Sequence, residues 1–253
     1  MAASWRLLDT GVSGAARNMA LEQVLLDSRI NGDAPDTLHF LEFSPCVLLG
    51  YHQAADEEVD ADYCRSQGIE INRRISGGGC IYMDEGTLGW EIVAKKDTPG
   101  IPGNLEAMYE KLCGGLIRAL SAFAVSAAYR PLNDIEVAGR KISGTGGTGI
   151  GDSLIFHGTV LVDHHPEIME KALRIPDKRL AAGQAPRGEG RVVSMRELLG
   201  CAPEMAEVKE RICWAFAEML DIKWEAGGLT GSEEEGLRRE LPRFASEEWI
   251  YRR

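Results

Sequence analysis

Three short segments carry the residue types that could do chemistry. The first, residues 73–86, runs Arg73-Arg74-Ile75-Ser76-Gly77-Gly78-Gly79-Cys80-Ile81-Tyr82-Met83-Asp84-Glu85-Gly86. Consecutive glycines let a backbone approach a ligand closely and turn N–H groups toward an anion, and adjoining arginines can neutralise phosphate or carboxylate. That combination suits a nucleotide or an acyl phosphate. Triple glycine alone favours the plainer alternative, a flexible connector beside a strand-end arginine pair. GxxxxGK[ST] and GxGxxG are both absent, so a P-loop and a Rossmann dinucleotide site are unsupported.

The second segment is Asn133-Asp134-Ile135-Glu136-Val137-Ala138-Gly139-Arg140-Lys141-Ile142-Ser143-Gly144. If Arg140–Ser143 is a strand, Lys141 and Ser143 project to the face opposite Arg140 and Ile142, and Lys141 can reach inward. A lone strand lysine is more often solvated. Asn133-Asp134 opens a turn, or Asp134 helps to hold a magnesium ion. The third segment is Ile155-Phe156-His157-Gly158-Thr159-Val160-Leu161-Val162. So apolar a strand predicts that His157 is at least partly buried, as a structural or a functional imidazole, and Gly158 permits close approach of a ligand.

The elements that must position these residues follow from periodicity and punctuation. Asn18–Ile30 fits a helix, and Thr37–Phe43 and Cys46–Leu49 fit short strands broken by Ser44-Pro45. Acidic Asp56–Asp62 starts a solvated helix ending near Gly68. Strands are predicted at Ile69–Arg73, Cys80–Met83 and Leu88–Ala94. Asn104 caps a helix whose stripe is Leu105, Met108, Tyr109, Leu112, Leu116, Leu120 and Phe123. Asp134–Val137 and Arg140–Ser143 make a hairpin through Ala138-Gly139, a glycine-rich connection spans Gly144–Gly151, and Leu154–Val162 is strand again. From about residue 166 the chain turns helix-rich, with helices at Pro166–Arg174 and Pro203–Leu220, the second burying Met205, Val208, Ile212, Phe216 and Met219. Gly183–Arg191 is predicted to be a mobile loop. A strand-dense first half with a helix-rich tail predicts a sheet with helices packed on it.

The chain has 253 residues, 44% of them hydrophobic, with 28 basic against 39 acidic side chains and a net charge of -11. That length fits one domain, or a large one with a small one, and supports a core without disulfide or metal staples. The acidic balance argues against nonspecific binding to nucleic acid or anionic lipid, so basic contacts to any phosphate must be local. The six cysteines, at 46, 64, 80, 113, 201 and 213, form no CxxC pair and are expected to be reduced. The first residues lack a signal-peptide block, and no apolar run reaches the roughly 18 residues of a membrane span. A soluble, cytoplasmic protein is expected.

In this order and spacing, the three segments resemble the lipoate-protein ligase family. The resemblance starts at Asn18-Met19-Ala20-Leu21-Glu22, passes Leu49-Gly50 and Gln53, and peaks at RRISGGG, GRKISG and FHGT. It continues through Val193-Ser194-Met195-Arg196-Glu197-Leu198 to Ser246-Glu247-Glu248-Trp249-Ile250, covering nearly the whole chain. It implies an α/β (α+β) catalytic domain of biotin and lipoate ligase type, with a mixed, largely antiparallel sheet flanked by helices, related in fold to class II aminoacyl-tRNA synthetases.

The activity implied is ATP-dependent activation of lipoate to lipoyl-adenylate, with Mg2+. The acyl group then passes to a lysine of a lipoyl domain, on the E2 subunit of a 2-oxoacid dehydrogenase or on an H-type carrier. By the family pattern, Arg74 and the backbone from Gly79 through Cys80 and Ile81 to Tyr82 contact the nucleotide, and Lys141 bridges the carbonyl oxygen and phosphate of the adenylate. Arg73, Ser76, His157 and Gly158 line the acyl tunnel or its mouth, where each buried CH2 gains about 0.8 kcal/mol. Gly77, Gly78, Asn133, Asp134, Gly144 and Thr159 complete the implied substrate and nucleotide site, with Asp134 as the magnesium ligand. Arg73, Arg74, Arg140 and Lys141 would form the local basic site.

Two departures from the family pattern stand out. Met83 replaces the His that many relatives carry before the Asp. The familiar C-terminal accessory domain is also expected to be absent, which leaves room for an accessory subunit in trans. An octanoyl- or lipoyltransferase of the same fold is the nearest rival. It works through a cysteine thioester without ATP. One transferase type carries that Cys where this chain has Leu154, and another where it has Arg130-Pro131-Leu132-Asn133-Asp134, so neither thiol is present. Cys80, the thiol nearest a motif, reads as a small buried apolar residue. A noncatalytic partner subunit of a bipartite ligase is the third reading.

Overall fold

A computed structural model describes residues 2–174 and 191–252. The expected mobile loop, apart from Arg191, lies outside the described residues. The fold is mixed α/β, with one large, mostly antiparallel sheet, a small second sheet and flanking helices. Among the described residues no helix is long and apolar enough to cross a membrane.

The large sheet is built from β1 (Ala3–Ser13), β2 (Thr37–Phe43), β6 (Thr87–Lys95), β7 (Ala128–Arg130), β8 (Asp134–Val137), β9 (Arg140–Ile150), β10 (Ser153–Leu161) and β11 (Ile222–Ala226). Their order is β11-β1-β2-β6-β10-β9-β8-β7, parallel only where β1 meets β11 and β2. β3 (Cys46–Leu49), β4 (Glu70–Arg73) and β5 (Ile81–Met83) form the small sheet, in order β4-β3-β5. β6 is buried on both faces, so its side chains do not alternate apolar with solvent-facing polar, and even Glu91 is enclosed.

One face of the large sheet packs against α4 (Leu105–Ser121) and the later helix Met205–Leu220, around Trp5, Trp90, Phe156 and Phe216. Asn104 caps α4 by accepting from the Ala107 N–H at 3.1 Å. The opposite face packs against α1 (Ala15–Asn31), where Leu21, Leu25 and Leu26 meet Leu8, Val93 and Ile155. The acidic stretch forms two short helices, α2 (Ala55–Glu58) and α3 (Ala61–Gln67), the latter capped by Asp60 and ended by Gly68 at φ 68°. α5 (Pro166–Ala172), α6 (Met195–Leu199) and α7 (Met205–Leu220) follow.

The glycine-rich connection expected at 144–151 is instead the second half of β9. A Cβ on Gly147 would sit 2.6 Å from the Ile155 carbonyl oxygen, so the absence of side chains is what lets β9 lie against β10.

The tail holds two further helices, α8 (Gly231–Phe244) and α9 (Glu247–Ile250). α8 begins with a capping box in which Thr230 accepts from Glu233 N and Glu233 accepts from Thr230 N. Glu233 also takes both terminal nitrogens of Arg6, each at 2.7 Å, and is fully buried. Burial pushes its carboxyl up, yet the bonds from Arg6 and Thr230 win and hold it below the ordinary 4.5. Stability from this pair is therefore complete above pH 4.5 and is lost as pH falls through the lowered value. Glu233→Ala strands the buried Arg6 charge and should destabilise the fold by about 3–5 kcal/mol, read as a lower urea midpoint at neutral pH.

Candidate active site

The three chemistry-bearing segments converge on one cavity of ≈ 270 Å³. The glycine loop enters from β4, Lys141 lies on β9 and His157 on β10. Met19, Leu41, Phe43, Leu48, Met83 and Leu161 make its apolar side, a slot suited to an alkyl chain. Among the predicted residues Arg74, Gly77, Gly78, Gly79, Cys80, Ile81 and Tyr82 line it on one side. Asn133, Asp134, Lys141, Gly144, His157, Gly158 and Thr159 line it on the other.

Lys141 is fixed at both its backbone and its ammonium. Its N–H donates to Arg191 O and its carbonyl accepts from Val193 N, each at 2.9 Å. Nζ pairs with Asp134 Oδ1 at 2.5 Å, and Lys141 remains about a third exposed. Gly144 makes that pose possible, because a Cβ there would lie 2.6 Å from Nζ. The Ala138-Gly139 turn, with φ of 50° and 80°, brings β8 back beside β9 and so sets Asp134 next to Lys141. Asn133 donates to Thr145 O at 2.9 Å and holds the entry to that hairpin.

The two arginines of the first motif both donate to backbone carbonyls of the chain itself. Arg73 is fully buried, faces away from the cavity, and donates to the carbonyls of Gly50, Tyr51, Gln53, Trp249, Ile250 and Arg252. It ties β4 to the chain end instead of lining an acyl tunnel. Arg74 does border the cavity, but its guanidinium donates to Leu48 O, Gly77 O and Gly79 O and so shapes the glycine loop. Arg140 pairs with Glu197 at 2.5 Å. The expected cluster of four cations does not form as one basic site, because carbonyls and carboxylates of the chain itself hold each of them.

Ser76 sits behind the wall, where Oγ meets His157 Nε2 at 3.0 Å, and His157 Nδ1 meets Glu22 Oε1 at 2.5 Å. Beside this line, β2, β6 and β10 place His39, Glu91 and His157 in one lateral row. His39 Nδ1 lies 3.0 Å from Glu91 Oε2, and its Nε2 lies 2.8 Å from Thr10 Oγ1. Burial drops the His39 imidazole to about 3, so it is neutral at physiological pH. Burial, reinforced by the Glu22 charge, raises the Glu91 carboxyl well above the usual range. Neither His39 nor Glu91 was anticipated. The available signal was an ionisable residue inside an otherwise apolar strand, in TLHFLEF and in TLGWEIVAK.

Glu22, Glu91 and His157 offer ligand atoms within 4.8 Å of one another and are the described group able to hold a metal. The magnesium expected at Asp134 fits poorly. That carboxylate already pairs with Lys141 and lies 3.6 Å from Arg130, and Asn133 turns its amide N–H2 to Thr145. Thiol chemistry is equally ill served. Cys80 is buried in the cavity wall, and burial raises Cys113, beneath Thr145, to about 11.

The lipoyl protein ligase A/B catalytic domain family matches residues 14–217. This chain belongs to it. It is 29% identical to an octanoyltransferase LipM of Kyrpidia tusciae over 99% of both chains. It is also 29% identical to lipoate-protein ligase A subunit 1 of Thermoplasma acidophilum, over 96% of this chain and 95% of that one. The solved structure of a bipartite lipoate protein ligase with its E2 lipoyl domain, from the same archaeon, superposes with a TM-score of 0.86 at 26% identity, covering 98% and 96% of the two chains. A lipoate-protein ligase A bound with ATP superposes with a TM-score of 0.84 at 25% identity over 99% of each chain. Membership makes the chain an enzyme of the lipoate ligase and transferase family, active in protein lipoylation. Octanoyltransferase names recur among the relatives and favour the transferase alternative over the ATP-dependent reading.

Proposed function

We propose that this protein transfers an octanoyl-type acyl group from a thioester donor to a lysine of a lipoyl-domain carrier, without ATP. The observation that carries this reading is the cavity's charge. It is an apolar slot bordered by an ion-paired lysine and by Arg191, while Arg73 and Arg74, the arginines of the glycine-loop motif, donate to backbone carbonyls. An eight-carbon chain needs the slot, and a thioester needs no phosphate-binding cations. The octanoyltransferase relative matching end to end supports the same reading.

In this reading the slot orients the acyl chain and excludes water from it. Lys141 stabilises negative charge as it develops on the attacked carbonyl oxygen. Asp134 holds the ammonium in place until then. The acceptor is the exposed lysine of a carrier domain, presented at the mouth.

ATP-dependent ligation of lipoate is the second reading. It is favoured by the missing cysteines at residues 130–134 and at Leu154, and by likeness to a ligase subunit over nearly the whole chain. In that case a partner subunit would complete the enzyme, as in the bipartite archaeal ligase, and E2 or H-type carriers remain the acceptors. Purified protein, apo lipoyl domain and octanoyl carrier protein without nucleotide should give an octanoylated lysine. Modification only from free acid plus Mg-ATP would establish the ligase instead.

A further inference from the structure

Glu22 of α1, Glu91 of β6 and His157 of β10 each bring one ligand atom to within 4.8 Å of the others. Acyl transfer does not by itself require this group. Both carboxylates are buried, and among the described residues neither pairs with a lysine or an arginine. Their ion-pair partners are imidazoles, His157 for Glu22 and His39 for Glu91. Glu22 Oε2 is also buried and has no hydrogen-bond partner among the described residues. Two neighbouring carboxylates shut away from water without a positive side chain are costly, and a coordinated cation is what offsets that cost.

Two of the three candidate ligands already have the kind of outer partner that orients a metal ligand. Glu91 Oε2 lies 3.0 Å from His39 Nδ1, and His39 Nε2 lies 2.8 Å from Thr10 Oγ1, so a neutral His39 donates to Glu91 and accepts from Thr10. His157 Nε2 lies 3.0 Å from Ser76 Oγ, which can accept the Nε2–H and leave Nδ1 as the ligand atom toward Glu22. Glu91 and His157 line the cavity, which gives an ion a way in and an open position on that side.

We infer that Glu22, Glu91 and His157 form a binding site for one divalent first-row transition-metal ion of the zinc class. Two carboxylate oxygens and an imidazole nitrogen make a borderline donor set, which suits zinc better than magnesium or calcium, and no thiolate is present to favour copper(I). Three protein ligands with one open position match the tetrahedral zinc geometry of a site that stays accessible. The ion takes the place of the Nδ1 proton between His157 and Glu22, and that proton leaves to solvent. An oxygen or sulfur donor entering the cavity can fill the open position. The site is separate from the Lys141–Asp134 pair and is independent of which acyl donor the enzyme uses.

The test is zinc binding by the whole chain, stripped with chelator, dialysed and titrated in competition with a chromogenic chelator. The wild-type chain is expected to bind zinc at this site, with anomalous diffraction at the zinc edge placing the ion between Glu22, Glu91 and His157. Cobalt(II) in its place should show the intense visible bands of a tetrahedral site. Glu22→Gln and Glu91→Gln should each weaken zinc binding at least about 100-fold, and Ser76→Ala, which removes only an outer partner, by about 10-fold. Cys201→Ser, which alters an exposed thiol outside the group, should leave the affinity unchanged. The diffraction and cobalt measurements need no variant, so they decide the matter even where a substitution disturbs the fold. A wild-type chain that binds no zinc, anomalous density only elsewhere on the chain, or Glu22→Gln binding as tightly as the wild type overturns the inference and leaves the two carboxyls holding a proton in place of an ion.

Discussion

Lys141→Ala is expected to lower lysine octanoylation by about 10²–10³-fold, equivalent to roughly 2.7–4 kcal/mol of barrier, with little change in stability. The ammonium is the cationic group at the cavity mouth whose partner is a single carboxylate, so it can turn to a developing oxyanion at small cost. What anchors Lys141 in the fold is its backbone, through Arg191 and Val193, and alanine keeps both bonds. A rate loss of this size with an unchanged urea midpoint separates the charge from the scaffold. Lys141→Arg would not restore the rate, since a planar fork cannot replace a compact ammonium against Asp134 and Gly144.

Gly50→Ala should be nearly as damaging to turnover. The added Cβ would lie 2.1 Å from Gly78 O and 2.9 Å from its carbonyl carbon, so the obstacle is backbone rather than a movable side-chain tip. The glycine loop must shift, and with it the cavity wall that positions the substrate. Displacement of a reacting group by an ångström costs on the order of 10²-fold in rate. Transfer measured at saturating donor should fall by at least about that factor, while the far side of the sheet, around Trp90 and Phe216, keeps its near-ultraviolet circular dichroism.

How much of this was legible in the sequence differs from residue to residue, for physical reasons. The α4 cap at Asn104 and the Ala138-Gly139 turn were readable, because each depends on local geometry that a residue type dictates. The three motif segments likewise converge on one cavity. Arg73 was misplaced because an arginine beside glycines reads as an anion binder. Its carbonyl partners come from residues 50–53 and from the chain end, a convergence only the fold creates. The glycines of β9 read as a connector, since their function is to leave space for a neighbouring strand. α8 went unread because its apolar side is only Leu237, Leu241 and Phe244 in an otherwise charged stretch interrupted by Pro242, and Arg6, which with the capping box fixes its start, is a long-range partner. The His157 contacts with Ser76 and Glu22 join residues 81 and 135 positions apart, beyond the reach of any local pattern.

The choice of acyl donor is the centre of the account, and one mass measurement on the acceptor tests it. The enzyme is given apo lipoyl domain together with unlabelled octanoyl carrier protein, deuterated free octanoate and Mg-ATP, and the acceptor lysine is analysed after partial turnover. The apolar slot, with Arg74 bound to carbonyls of its own loop, predicts an unlabelled octanoyl group on the lysine, formed at the same rate when ATP is left out. A deuterated octanoyl group that disappears without ATP would contradict it and assign the site to acyl-adenylate chemistry.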